Sequence, residues 1–322
     1  MSNKEKIIEL IKENDQMSVD QMSDELDISL SMVHRHLKQM LEDGIVYKIG
    51  SAPHVFYALA QNEKEKDIIL NNDVEKIISQ NFLFISSRGE RVDGVMGFIK
   101  WCEKRDFDFK QKADEYVQIY NKYEKLKKNN VISGRDKMIS TFGSNECVDD
   151  VFYANFYAWE IFGKTKLGQI LLYSKQSQDK KMMREVVDMI QPVIEQLIKA
   201  KKIDAVGFVP PTVKRQVQFM KVFEKYLNVA LPTIDIVKVQ TDIITPQKTL
   251  NKLQDRIENA DNTIFVKENN AYKNILLIDD AVGSGATLNQ IACKIKKKNT
   301  AQKVYGFAVT GSAKGFDVIS EV

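Results

Sequence analysis

The sequence predicts a multidomain chain: a small module of three helices and a β-hairpin, a helical middle region, and a C-terminal α/β domain with a parallel sheet. Three observations predict this order. Short amphipathic helices and then two alternating runs occupy residues 1–60. A proline-free stretch of residues 61–145 is rich in Lys, Glu and aromatic residues. From residue 146 to residue 322, apolar runs of strand length alternate with helices.

Length, charge and cysteine content bound the class of protein. A chain of 322 residues can hold two or three domains, and a net charge of +3 is too small to indicate a partner. The N-terminus has no apolar signal core and no apolar run is long enough to span a bilayer, so we expect a cytoplasmic protein without a membrane partner. Cys102, Cys147 and Cys293 are far apart and odd in number, which argues against a disulfide framework or a cysteine zinc site.

Residues 1–60 predict three helices and a hairpin. Ser18 is placed to cap the second helix, and "SLSMVHRHLKQMLEDG" predicts a third helix that ends at Gly44. The runs "IVYKIG" and "HVFYALA" then alternate as two strands. The apolar face of the third helix is predicted to consist of Leu30, Val33, Leu37, Met40 and Leu41.

The opposite face of the third helix carries side chains that suit a DNA major groove. This order of elements is that of a winged helix-turn-helix, and "ISLSMVHRHLKQMLEDGIVYKIG" resembles winged-helix regulators of the ArsR kind. The resemblance implies DNA binding through the third helix, with the hairpin as a wing. Metal-sensing members carry cysteines here, and this sequence has none before Cys102. The predicted DNA-binding residues are Ser31, Met32, Arg35, Lys38 and Gln39 on the helix and Lys48 on the wing.

A second reading of this module stays open, because winged helices also serve in dimerisation and protein docking. Residues 1–62 contain 6 Lys plus Arg against 10 Asp plus Glu, which opposes binding to a polyanion. The acidic residues lie mainly on the first two helices, whereas Arg35, Lys38 and Lys48 lie on the third helix and the wing. DNA binding is therefore the favoured interpretation.

The middle region, residues 61–145, predicts amphipathic helices with a mixed, solvated surface and no recognisable motif. We expect a connector or dimerisation element, and hence a homodimer. The Gly-, Ser- and Asn-rich stretch "NNVISGRDKMISTFGSNE" predicts a domain boundary near residue 145.

Alternation of strands and helices after residue 145 predicts a parallel sheet. The predicted strands are "IDAVGFVP", "TIDIVKV", "NILLID" and "KVYGFAVTG", and "DVFYANFYAWEIF" is predicted to be a strand pair. Ligands of such sheets bind at the carboxyl ends of the strands. Asp279 and Asp280 stand at one such end.

The stretch "ILLIDDAVGSGATL" carries the strongest chemical signal. After the two aspartates, a glycine-rich turn can wrap an oxyanion in backbone N–H groups, helped by the start of a helix. It lacks a lysine and is not a Walker A loop. Paired carboxylates would accept hydrogen bonds from sugar hydroxyls or hold Mg²⁺ through water. The pattern fits a ribose with a 5-phosphate, bound by Asp279, Asp280, Gly283, Ser284, Gly285, Ala286 and Thr287.

"LLIDDAVGSGAT" resembles the phosphoribosyl pyrophosphate (PRPP) signature of type I phosphoribosyltransferases, and "TPQKTLNKLQDRIENADNTIFV" resembles the ComF-like branch through Gln247, Leu250, Arg256 and Asn259. The resemblance covers residues 146–322. It implies that the carboxylates bind the ribose hydroxyls and that residues 283–287 bind the 5-phosphate. It further implies that Lys214 and Arg215 hold the pyrophosphate, that a mobile lid carries Arg256, and that Mg²⁺ accompanies PRPP.

The sequence departs from the family at two places. Purine-type members carry an acid that follows the paired acids after two intervening residues, where this chain has Gly283. The ComF-like Arg-Gly-Phe-Asn-Gln is replaced by "RQVQFMKVF". If turnover occurs, a nucleophile attacks C1 of the ribose as pyrophosphate leaves, and Lys214, Arg215 and Mg²⁺ neutralise the leaving group.

Fusion of the two modules suggests a ligand-responsive DNA-binding regulator. The alternatives are a catalytic phosphoribosyltransferase, including an effector of a retron-like defence system checked by a reverse transcriptase or nucleic acid, and a ComF-like DNA-uptake protein.

Overall fold

A computed structural model of the chain describes residues 1–60, 70–211, 213, 215–239, 250 and 252–312. The chain divides into two compact units. The first contains Met1–Leu70 and Ser86–Glu90, and the second contains Asn71–Ile85 and Arg91–Val322. The units are described separately below.

The first unit is a winged helix-turn-helix, as predicted. Ser18 caps the second helix by accepting a hydrogen bond from the Gln21 backbone N–H, and the strands form an antiparallel sheet in the order β1-β3-β2. The elements are α1 (Asn3–Asn14), β1 (Met17–Ser18), α2 (Val19–Leu26), α3 (Leu30–Glu42), β2 (Val46–Ser51) and β3 (His54–Leu59).

The predicted apolar face of α3 is only partly correct. Val33, Leu37 and Met40 are buried in the core of this unit. Leu30 and Leu41, by contrast, keep 46% and 38% of their surface exposed. The buried positions follow the i, i+4, i+7 spacing of one narrow stripe, and the two exposed leucines lie at the ends of the helix, outside that stripe.

A six-stranded sheet forms the centre of the second unit among the described residues, in the order β11-β14-β15-β8-β7-β6. The four strands β11, β14, β15 and β8 run parallel, β7 pairs antiparallel with β8, and β6 pairs antiparallel with β7. These strands are β6 (Lys127–Lys128), β7 (Val131–Ser133), β8 (Asp150–Phe156), β11 (Ala205–Phe208), β14 (Tyr272–Val282) and β15 (Ala301–Gly311). The multidomain fold class with a parallel sheet is therefore confirmed.

Helices and short strands surround this sheet. The helices are α4 (Asn72–Asn81), α5 (Gly94–Glu103), α6 (Phe109–Glu124), α7 (Arg135–Phe142), α8 (Lys166–Ser177), α9 (Lys180–Lys201), α10 (Phe219–Leu227), α11 (Leu253–Thr263) and α12 (Ala286–Lys297). The short strands are β4 (Leu83–Ile85), β5 (Arg91–Asp93), β9 (Ala158–Trp159), β10 (Gly163–Lys164), β12 (Ile236–Lys238) and β13 (Ile264–Val266).

The structure does not divide the second unit at residue 145. Strands β6 and β7, from the predicted connector, extend the central sheet beyond β8. The middle helices also share an aromatic cluster with later residues: the Phe98 and Tyr116 rings lie 6.1 and 5.1 Å from the Phe162 ring. Sheet pairing and aromatic packing thus join the middle region to the α/β core, and local composition cannot report such distant contacts.

Two strand predictions need correction. "TIDIVKV" touches the central sheet only at its start, where Thr233 makes an isolated parallel bridge to Val206 of β11. Its strand β12 pairs instead with β13 in a separate two-stranded sheet. "DVFYANFYAWEIF" yields β8 and β9, but β8 joins the central sheet and β9 pairs with β10. Alternating hydrophobicity predicts that a segment forms a strand, but it does not predict which other strand pairs with it.

The expected absence of a disulfide is wrong. Cys147 and Cys293 form a disulfide, with Cα atoms 4.9 Å apart. Cys147 precedes β8, and Cys293 lies on α12, which leads into β15, the neighbour of β8. The topology brings together two thiols that are 146 residues apart in sequence.

Among the described residues, no helix combines the length and the apolarity needed to cross a membrane.

Candidate functional site

The carboxyl end of β14 positions the paired carboxylates. This strand is flanked on both sides by parallel neighbours, β11 and β15. Its apolar residues from Ile275 to Ile278 are buried, and Asp279 and Asp280 follow where the strand leaves the core. The burial of the strand on both faces fixes where the two carboxylates emerge.

The glycine turn after β14 leads directly into α12. Gly285 has a φ of +75° and stands at the N-cap position, and its carbonyl accepts the Asn289 N–H. A Cβ atom at Gly285 would lie 2.6 Å from the Met138 Sδ on α7. The positive φ therefore favours glycine here, and any side chain at this position would displace Met138 of α7. The N–H groups at the start of α12 are suited to an anion.

The turn and the carboxylates line a cavity of about 230 Å³. Its lining includes most residues predicted from sequence, namely Arg215, Arg256, Asp279, Asp280, Gly283, Ser284, Gly285, Ala286 and Thr287. Lys214 and Gln247 lie outside the described residues. The apolar part of the cavity wall includes Tyr157, Leu171, Val209 and Phe219. One cavity thus combines paired carboxylates, a helix N-terminus and cations.

Lys175 and Lys238 also line the cavity, and the sequence interpretation missed both. The Lys175 Nζ lies 2.8 Å from the Asp280 Oδ2, although α8 is 105 residues away in sequence. Lys238 ends β12, and burial lowers the pKa of its ammonium. The one available signal was a lysine inside the apolar run "TIDIVKV", whereas Lys175 has no local signature.

The electrostatics of the carboxylate pair are dominated by burial. Burial, and after it the neighbouring Asp280, raise the pKa of Asp279 to about 8, although Lys175 and Lys238 act in the opposite direction. The Asp279 Oδ1 accepts a hydrogen bond from the Asp280 backbone N–H at 2.8 Å. Crowding of two carboxyl groups in a poorly solvated cavity favours the protonated form of one of them.

Arg215 and Arg256 both make backbone contacts at this cavity. The Arg215 guanidinium donates to the Lys175 carbonyl. The Arg256 Nε donates to the Leu250 carbonyl at 2.7 Å, only 6% of this residue is exposed, and burial lowers its pKa. Arg215 thus ties the segment after β11 to α8, and Arg256 packs the start of α11 onto the cavity.

The predicted DNA-binding residues lie on the solvent side of the first unit. Ser31, Arg35, Lys38, Gln39 and Lys48 are exposed and Met32 is half-buried. The Ser31 Oγ lies 3.0 Å from the Ser29 Oγ at the N-cap of α3, and Gln39 donates to Asp43 at 2.9 Å. The face that carries the two cations is available to a partner in this unit considered alone.

Comparison with known proteins gives one family-model match, which falls in the first unit. Residues 2–47 match a family model described as winged helix-turn-helix DNA-binding. A sequence search of curated proteins gave no match.

Solved structures similar to the chain include two phosphoribosyltransferases. An adenine phosphoribosyltransferase is 13% identical with a TM-score of 0.28, and the match covers 42% of this chain and 74% of that one. A hypoxanthine phosphoribosyltransferase from Staphylococcus aureus is 12% identical with a TM-score of 0.24, covering 42% of this chain and 66% of that one.

Proposed function

We propose that the chain is a DNA-associated regulator whose α/β unit binds PRPP or a ribose-5-phosphate nucleotide and whose winged helix-turn-helix binds DNA. The observation that carries the proposal is the cavity in which Asp279 and Asp280 face the N-terminus of α12 beside Lys175. This set of groups matches a polyol that also carries phosphate. The match of residues 2–47 to a DNA-binding family model supports the nucleic-acid half.

Each part of such a ligand has a complementary group in the cavity. The carboxylates accept hydrogen bonds from ribose hydroxyls, and the amides of residues 283–287 donate to a 5-phosphate. Lys175, Arg215 and Lys238 offset the charge of a pyrophosphate. The expected role of Lys214 falls on a residue outside the described ranges and stays a prediction from sequence. Lid closure over Arg256, expected from sequence, remains part of the proposal.

Magnesium fits this site as a companion of the ligand. The described residues contain no group of three or more His, Cys, Asp and Glu side chains placed to hold a metal ion. Two carboxylates plus substrate phosphates and water are nevertheless a common Mg²⁺ environment. Asp279 and Asp280 would hold the ion through water, and it would neutralise the pyrophosphate.

Catalysis is the second candidate, and the three cations in the cavity favour it. They would stabilise a departing pyrophosphate while positive charge develops on the ribose. Gly283 offers no general base, so an acceptor would have to bring its own nucleophile. The retron-like effector and the ComF-like role also remain proposals, as do the homodimer, the reverse-transcriptase partner and the cytoplasmic location.

Titration calorimetry with PRPP and Mg²⁺ tests the ligand half of the proposal. We expect the wild type to bind and the Asp279→Ala, Asp280→Ala double variant to bind at least about 100-fold more weakly. Each charge-assisted hydrogen bond contributes roughly 1.5–3 kcal/mol. The matched control is Asp188→Ala, which removes an exposed aspartate on α9.

The outcomes separate the candidates. Binding without release of pyrophosphate supports a sensor, and release of pyrophosphate supports an enzyme. Equal affinity in the wild type and the double variant would reject the carboxylate site.

Binding to a 30-base-pair duplex at several salt concentrations tests the DNA half. Replacing Arg35 and Lys38 with Ala removes two exposed cations of α3. We expect weaker binding for all duplex sequences and a slope of log K against log salt that is smaller by about 1–2, because fewer counterions are released.

Lys12→Ala is the matched control, since Lys12 is an exposed lysine on α1 and is not one of the predicted DNA-binding residues. Unchanged slopes in the double variant, or absence of binding at low salt in the wild type, would contradict DNA binding through α3. A change in duplex affinity on adding PRPP would support the regulator.

A further inference from the structure

The Cys147–Cys293 disulfide joins a clamp segment, residues 135–147, to the helix that begins at the glycine turn. Cys147 is the last residue of this segment, and Cys293 lies on α12 two turns after its start at Ala286. The disulfide therefore lies outside the ligand cavity but on an element that forms it.

The other end of the clamp segment packs against the glycine turn. Met138 and Phe142 of α7 come so close to Gly285 that an added Cβ would lie 2.6 Å from the sulfur and 3.5 Å from the ring. The path from Gly285 along α12 to Cys293, across the disulfide to Cys147 and back along the clamp segment to α7 is covalent. The packing of Met138 and Phe142 against Gly285 closes this path into a ring. Of the bonds along this path, the disulfide is the one that a reductant breaks.

Non-covalent contacts hold the same junction when the disulfide is absent. Asn289, which is fully buried on α12, accepts from the Cys147 N–H at 2.8 Å and donates to the Asn145 carbonyl at 3.0 Å. These bonds keep the clamp segment near α12, but they open far more readily than a covalent bond. Reduction should thus loosen the junction rather than unfold it.

The two bonded cysteines differ from the third in accessibility. Cys147 and Cys293 are half-buried at the surface. Cys102 is 1% exposed, and burial raises the pKa of its thiol to about 11. A buried, protonated thiol reacts slowly, so oxidation and reduction are directed to the Cys147–Cys293 pair.

We propose that Cys147 and Cys293 form a redox-sensitive site that controls how firmly α7 supports the glycine turn, and thereby the affinity of the turn for a phosphate group. In the oxidising direction, the thiolate of one cysteine attacks a low-molecular-weight disulfide and releases one thiol. The second cysteine then attacks the mixed disulfide and releases the other thiol. Two protein thiols are oxidised, one disulfide is reduced to two thiols, and the two protein protons leave with them.

The oxidised state is the state of higher affinity. With the disulfide formed, the clamp segment is tied covalently to α12, so α7 packs firmly against the turn and holds its backbone N–H groups in place before the ligand arrives. This lowers the cost of ordering them on binding. Disulfides of proteins in reducing compartments are commonly transient and redox-sensing. A protein that contacts DNA would in this way bind its phosphorylated ligand more tightly under oxidation. The ligand part of this inference rests on the proposed function.

The experiment uses the full chain equilibrated in reduced or oxidised glutathione buffer. Alkylation and mass spectrometry report the state of each cysteine, hydrogen exchange reports the amides of Gly283–Leu288, and calorimetry reports PRPP–Mg²⁺ affinity. We expect faster exchange in the turn and at least about fivefold weaker PRPP binding after reduction. The Cys147→Ser, Cys293→Ser double variant should match the reduced protein in both buffers, and Cys102→Ala should follow the wild type.

Tryptophan fluorescence confirms that each sample is folded before it is compared. A pair that stays reduced in oxidised glutathione, or turn exchange that is equal in both buffers, overturns the proposal. A redox response that persists in the double serine variant overturns it as well. If turn exchange follows the disulfide but PRPP binds in neither state, the redox coupling stands and the proposed PRPP function fails.

Discussion

Replacing Asp279 with Asn is expected to make the ligand-free protein more stable at pH 8 while it removes a carboxylate that the proposed ligand needs. Burial and Asp280 raise the pKa of Asp279 from its ordinary value of 3.8 to about 8. Folding therefore works against ionisation of this group over most of the physiological range. An amide of the same shape carries no such cost and can still accept the Asp280 N–H through its oxygen.

The sign of the pH dependence follows from proton binding. Between about pH 4 and pH 8 the unfolded chain has released the Asp279 proton and the folded chain still holds it, so the wild type loses stability as the pH rises. The stability due to this group is fully present below pH 3.8 and is lost by about pH 8. A rise of four pKa units would correspond to about 6 kcal/mol. Because Asp279 is only half-buried and faces the cavity, we expect about 2 kcal/mol.

Denaturant unfolding followed by tryptophan fluorescence measures the free energy of unfolding of the second unit, which contains Asp279. The chain has two tryptophans, Trp101 and Trp159, and both lie in the second unit. We expect the free energy of unfolding of the Asp279→Asn variant, relative to that of the wild type, to increase as the pH rises from 4 to 8. The exposed control Asp188→Asn should run parallel to the wild type. If the free energies of unfolding of Asp279→Asn and the wild type change in parallel with pH, then folding does not raise the pKa of Asp279.

Opening the Cys147–Cys293 disulfide is expected to lower the free energy of unfolding of the second unit by about 5 kcal/mol. The bond closes a loop of 146 residues, and the entropy that it removes from the unfolded chain grows with the logarithm of that length. Because the loop contains three of the six strands of the central sheet, β8, β11 and β14, reduction acts on the α/β core.

The measurement compares unfolding midpoints in oxidised and reduced buffer by the same tryptophan signal. The Cys147→Ser, Cys293→Ser variant should unfold like the reduced wild type in both buffers. Cys102→Ala should retain the full difference between buffers, because Cys102 takes no part in the disulfide. A difference below about 1 kcal/mol would mean that the unfolded chain gains little freedom when the bond opens.

Much of the architecture could be predicted from local signals. The winged helix-turn-helix follows from a capped helix, a helix that ends before Gly44 and two alternating runs. The parallel core follows from buried strands separated by helices. Near neighbours in sequence decide these features, so propensity and periodicity report them directly.

The candidate site likewise contains residues that the sequence predicts and residues that only the tertiary structure brings to it. Asp279, Asp280 and the glycine turn are contiguous, and a pattern on one strand end specifies them. Lys175 forms an ion pair with Asp280, although it precedes Asp280 by 105 residues in the sequence. Lys238 lies on β12, which belongs to a different sheet. Lys238 is marked only by its position inside an apolar run, and no local pattern marks Lys175. Neither feature indicates which cavity the lysine lines.

The sequence by itself determined the classes of the two modules and the strand end where the carboxylates stand. The tertiary structure alone decided that β6 and β7 extend the central sheet, that α7 packs against Gly285, and that Cys147 meets Cys293. The physical reason is that a local pattern fixes which face of an element is buried. Which distant element covers that face depends on how all the strands are ordered.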